Sequence, residues 1–374
     1  MRFRGLALLD HLERPAAVPS PLTDAPARRV VRDTVGLLLL ACGLPLIDEA
    51  MTLGAMYGLP WEWTTQGRYM MVWARYGVAV VVFWWLSWLV IARTPLSQVT
   101  PARRLLQRGA AVLGGAAAIN ATAPFPSVLA RSFGQSVYAC VLAWLALEVC
   151  RRHGVPLDLA RPRTAVDRLR YWEITQLVFF TCVAGGSLTF LLVQLVHWTK
   201  IDVPVMTGGQ MSALGIDNPG ILVIGVVATV AIEDVVIVAA TTALLTAVRR
   251  PAWQIYALVC VPEVLLHAYF GLPAIGMILF AAGRVWLYRQ YGRLIPFMVA
   301  HFVFDVVGGS LQLLPIPLLY RPVMALPFGA AVFWIGHRLS KAAHPSRPET
   351  HAQPVAPDGD SPQHTGRPDP VSIR

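Results

Sequence analysis

Six side chains able to do acid–base chemistry lie inside three apolar runs of this 374-residue chain. The run GILVIGVVATVAIEDVVIVAATTALL carries Glu233 and Asp234 near its middle, with no Arg or Lys in the segment to offset them. The run IYALVCVPEVLLHAYFG carries Glu263 and His267, and LIPFMVAHFVFDVVGG carries His301 and Asp305. Each of the last two pairs is spaced i, i+4, so both members project from one helical face. An ionisable group in lipid is costly enough to ask for a partner or a task. A carboxylate in a poorly solvated site can act as general base or acid. Two imidazoles and a carboxylate, here His267, His301 and Glu233, can also hold Zn2+ with a position left for water. That water becomes a nucleophile through the charge of the metal. Without metal, Glu233 would deprotonate water directly, while His301 and Asp305 orient the scissile carbonyl or stabilise its oxyanion. Spacing alone does not choose between the two schemes.

At these residues the chain resembles the CAAX protease and bacteriocin-processing enzyme family, also called the Abi family of intramembrane proteases. That family shows Glu-Glu-x-x-x-Arg, then a helix ending in a motif with a His, then His-x-x-x-Asn or His-x-x-x-Asp. The order here is Glu233-Asp234, then His267 in EVLLHAYFG, then His301-x-x-x-Asp305 in HFVFD. The stretch GRVWLYRQYGRLIPFMVAHFVFD is similar to the family's glycine, tyrosine and basic turn before the last motif. The likeness spans residues 219–309. It implies an all-α, membrane-embedded endopeptidase cutting prenylated or other membrane-bound peptides. Glu233 and His267 would activate water, His301 and Asp305 would take the final motif's role, and Asp234 and Glu263 would support them. Three positions differ from the family pattern. Asp234 replaces the second Glu, Val238 stands where the motif has Arg, and Glu263 stands where it has an aromatic residue. The missing Arg keeps a second reading open, an inactive pseudoprotease that scaffolds membrane proteins. A proton-coupled transporter is a third, since buried carboxylates also serve as relays.

The elements that must position these groups follow from composition. Apolar residues make up 56% of the chain and charged residues 14%, against roughly 45–50% and 25% in an ordinary soluble domain. With a mean hydropathy of +0.55, the expectation is a polytopic transmembrane helical bundle of about 8–10 spans. Ten apolar segments qualify: 35–55, 74–92, 109–123, 133–150, 174–198, 219–247, 255–271, 272–288, 294–309 and 320–338. Residues 1–34 read as a cytosolic arm, 35–200 as the N-terminal transmembrane helices and 219–309 as the protease-like core. A C-terminal transmembrane helix is expected at 310–339, and a disordered cytosolic tail at 340–374.

The net charge of +10 comes largely from arginines between the apolar runs. Arg28, Arg29 and Arg32, Arg103 and Arg104, Arg151–Arg170, Arg249 and Arg250, and Arg289 and Arg293 fall in alternate loops. That distribution puts both termini of this multi-pass protein in the cytoplasm. It reports orientation in a lipid bilayer and not a nucleic-acid partner; a membrane-bound peptide or protein substrate is what the resemblance implies. Arg284 is expected to snorkel to the cytoplasmic interface. The five cysteines have no metal or disulfide spacing and read as buried free thiols. GGAAA at 114–118 and AGG at 184–186 offer small-residue faces for close helix packing. One geometric difficulty is visible in advance. Glu233 is mid-span while His267 lies near the end of its run, an axial offset of about 8–10 Å at the rise of an α-helix.

Overall fold

The computed structural model describes residues 27–314 except 57, 59, 93–99, 124–126, 202, 204 and 206–209, together with residues 334 and 338. The residues expected to form most of the N-terminal arm, the last transmembrane helix and the tail lie outside the described residues. The described part is an all-α bundle. Its helices are α1 (Ala27–Met56), α2 (Trp61–Ile91), α3 (Pro101–Ala121), α4 (Val128–Arg152) and α5 (Ala165–Thr199). They continue as the short α6 (Gln210–Ala213), the long α7 (Pro219–Ala247), α8 (Ala252–Leu266), α9 (Met277–Tyr291) and α10 (Leu294–Leu313).

Helix starts follow local chemistry. Thr100, Ser127 and Asn218 each accept a hydrogen bond from a backbone N–H of the first turn, and prolines sit at the first positions of α3 and α7. A capping box joins Thr164 and Asp167 at the start of α5, with bonds of 3.0 and 3.2 Å. Gly292 closes α9 in the left-handed region at φ 62°, where a side chain would be strained.

Six helices (α1, α2, α4, α5, α7 and α10) are long and apolar enough to cross a membrane, which marks a multi-pass membrane protein. In the apolar windows of α4 and α7, 61% of residues are buried, against 33–39% in the other four. Those two helices are therefore the interior of the bundle, and the others present apolar side chains such as Leu39, Trp84 and Leu191 outward. Polar bonds tie the interior together: Tyr138 Oη donates to the Leu40 carbonyl at 3.1 Å and Ser136 Oγ to the Ile224 carbonyl at 2.5 Å.

The segments expected at 255–271 and 272–288 form a hairpin and not two full spans. Helices α8 and α9 have 15 residues each, short of the roughly 20 needed to cross a bilayer. Between them run the 3-10 turns Ala268–Phe270 and Leu272–Gly276, pivoting on Gly271 at φ 76°. Pro273 and the left-handed glycine end the regular helix inside the apolar run. Of the five cysteines, Cys42, Cys150 and Cys182 are buried as expected; Cys140 is exposed and Cys260 half-buried, and all five are free.

Glycines set the seam between α5 and the hairpin. A Cβ at Gly185 would lie 2.5 Å from the Phe280 Cβ, and one at Gly276 would lie 2.6 Å from Thr189 Oγ1. The small-residue face at 184–186 thus lets α5 approach the helix that carries Phe280 and Arg284. Gly185→Leu is expected to destabilise the protein by about 1–3 kcal/mol through overpacking, seen as a lower melting temperature in detergent.

A buried contact fastens α1 to the end of α4, with His153 Nε2 2.9 Å from Asp33 Oδ2, while Arg32 Nη2 lies 3.5 Å from Asp33 Oδ1. Asp33→Ala leaves the buried imidazole without this partner and is expected to cost about 1–3 kcal/mol by the same melting measurement.

Candidate functional site

Glu233 and Asp234 lie in a ten-residue π-helical stretch of α7, Ala231–Ala240. No Gly or Pro interrupts AIEDVVIVAA, so the wide turns have no chain-breaking residue behind them. Their effect is geometric: a wider turn rotates consecutive side chains less, so adjacent carboxylates face the same neighbour. That neighbour is Arg284 of α9.

Arg284 is fully buried and does not snorkel. Expectation and structure differ here for an energetic reason: three carboxylates in the apolar interior hold the guanidinium more firmly than the interface would. Its Nη1 donates to Asp234 Oδ1 at 2.8 Å and its Nη2 to Glu233 Oε2 at 3.2 Å. Nη2 also donates to Glu263 Oε1 of α8. The guanidinium carbon lies 3.9 Å from the centre of the Phe280 ring, which closes one face. Arg284 Nε and Glu263 Oε2 are enclosed without a hydrogen-bond partner.

His301 of α10 completes the cluster. Its Nδ1 is 3.1 Å from Asp234 Oδ2 and 3.2 Å from Arg284 Nη1. Its Nε2 is 3.2 Å from Asp305 Oδ2 and 3.7 Å from Glu233 Oε2. Two carboxylates facing Nε2 favour a form with hydrogen on that atom, which donates to Asp305. The edge of the Phe280 ring, 5.3 Å away between centroids, fixes the imidazole plane.

Exposure distinguishes the carboxylates. Asp234 and Glu263 side chains are 0% exposed, Glu233 is 9% and Asp305 is 24%. The reachable edge of the cluster is therefore Glu233 and Asp305 with His301 Nε2 between them. Asp234, Glu263 and Arg284 form its enclosed back.

Five of the six residues singled out from sequence thus meet, and His267 does not join them. It caps the end of α8, bonds through Nδ1 to the Glu263 carbonyl at 2.7 Å, and stacks on Phe270 at 6.2 Å. Among the described residues no hydrogen bond or ion pair links it to the side chains of the other five. The axial offset anticipated from the spans persists, and Glu263, one turn earlier, reaches the cluster instead.

These placements do not fit the zinc set Glu233, His267 and His301. A guanidinium already lies among the carboxylates, and a second cation there would be repelled. Among the described residues no group of three or more His, Cys, Asp or Glu side chains is arranged to hold a metal ion.

Arg284 is the residue that motif spacing missed. One signal pointed to it: a cation in the middle of MILFAAGRVWLYRQY, whose other cation, Arg289, lies in the last turn, in a chain that has Val238 in place of a motif Arg. Comparison with known proteins found no matching family model, no matching curated sequence and no matching solved structure.

Proposed function

We propose that the chain is an intramembrane endopeptidase that hydrolyses a peptide bond in a membrane-bound or prenylated protein or peptide without a metal. The observation that carries this reading is the graded cluster: the partly exposed Asp305 and the slightly exposed Glu233 flank the buried His301 imidazole, backed by a fully enclosed carboxylate–guanidinium network. Glu233 takes a proton from a water molecule as the oxygen attacks the scissile carbonyl carbon. As the oxyanion forms, the single Nε2–H of His301 shifts its bond from Asp305 to that oxygen. Glu233 then returns the proton to the leaving nitrogen as the C–N bond breaks, leaving a carboxylic acid and an amine. Arg284 holds Glu233 and Asp234 in place and supplies the positive charge that Val238 lacks. The arginine distribution supports a cytoplasmic position for both termini.

A second reading, the inactive scaffold, draws on the same burial, since paired carboxylates with so little exposure also serve purely to join helices. New peptide N-termini mapped in membranes of cells expressing wild type or Glu233→Gln separate the two. Fragments found only with the wild type support the protease; identical N-termini at matched expression support the scaffold.

A further inference from the structure

A groove of about 480 Å3 runs between the first turns of α5 and α10, at the arginine-rich end of the bundle. Its wall is apolar, formed by Trp172, Thr175, Ile295 and Val299, and Arg161 and Arg168 stand at its mouth. The turn that leads into α10 is held in place beside it. Arg293 Nη1 is 3.0 Å from Asp158 Oδ2, its guanidinium lies 5.5 Å from the Tyr171 ring, and the Leu294 N–H donates to the Asp158 carbonyl at 3.1 Å.

Charge at the mouth is unbalanced. Asp158 is taken by Arg293 and Asp167 by the N-cap of α5, and among the described residues no ion pair joins Arg161 or Arg168 to an acid. The Trp172 indole N–H is enclosed and has no hydrogen-bond partner. Both helices beside the groove are long and apolar enough to be membrane spans. A ligand suited to it has an anionic head with acceptor oxygens and an aliphatic tail running parallel to the helices.

We propose that this groove is a specific site for an anionic phospholipid. The phosphodiester is held by Arg161 and Arg168, and one acyl chain lies along Trp172, Ile295 and Val299. The site does not depend on the proteolytic reading, because none of its residues belongs to the acid cluster.

The test uses the full chain, purified in neutral detergent and equilibrated with equal amounts of phosphatidylglycerol and phosphatidylcholine. Lipid retained after washing is measured by mass spectrometry, and melting temperature is followed in parallel. Phosphatidylglycerol is expected to be retained about tenfold or more over phosphatidylcholine, the scale set by two arginines at an anionic surface. Arg161→Gln with Arg168→Gln is expected to remove that preference, and Val299→Trp to lower retention of both lipids by filling the groove. Arg161→Gln alone keeps the wall and is expected to weaken the preference without lowering total retention. Equal retention of the two lipids by the wild type overturns the proposal. So does a preference unchanged in the double arginine variant, or a full melting shift given by inorganic phosphate without lipid. A double variant that fails to fold leaves the decision to Arg161→Gln and Val299→Trp, and unchanged retention in both overturns the proposal.

Discussion

Arg284→Met is expected to lower the unfolding free energy by about 3–5 kcal/mol, the range for removing one partner of a buried ion pair. The arginine is the hub of α7, α8, α9 and α10: it donates to Asp234, Glu233 and Glu263 and lies beside His301. Methionine fills much of the volume, so the loss measures uncompensated carboxylates more than a cavity. Thermal melting in detergent at constant pH provides the measurement. Arg131→Met, at an exposed position, is expected to stay within about 0.5 kcal/mol of wild type. Adding Glu263→Gln to Arg284→Met removes one stranded charge and is expected to restore part of the lost stability. Additive losses in the double variant would show that the two side chains do not act as a pair.

Glu233→Gln is expected to reduce cleavage by at least about 100-fold, the lower end for loss of a general base. Its melting temperature is expected to change far less than that of Arg284→Met, because Gln still accepts a bond from the guanidinium. The informative contrast is Glu263→Gln. Glu263 binds the same arginine atom but its side chain is 0% exposed, so it cannot touch substrate. It is expected to retain activity within about tenfold of wild type, an effect transmitted through the position of Arg284. Rates are read from a fragment identified by N-terminal mapping in wild-type membranes. Equal, severe losses in both variants would mean that the network matters only as a unit. No loss in Glu233→Gln would remove Glu233 from the mechanism. Uptake of a solute that depends on pH and on Glu233, with no peptide cleaved, would point to the transporter.

Composition and patterning determined the fold class, because burial in lipid demands apolar runs of helical length. The first nine of the ten apolar segments lie on helices of the bundle, and all of the tenth except Trp334 and Arg338 lies outside the described residues. Order and spacing also identified Glu233, Asp234, His301 and Asp305 as one constellation, since i, i+4 geometry and adjacency are local properties. Glu263 and His267 share that spacing, yet only Glu263 reaches the cluster. The 3-10 break after Leu266 and the depth of the hairpin against α7 decide which of the two faces Arg284. The role of Arg284 was equally hidden. Its nearest sequence neighbours are apolar, and its partners lie 50, 51 and 21 residues away. Local sequence reports the periodicity of one helix at a time. The charge balance of a buried cluster is a sum over four helices, and only their packing brings its terms together.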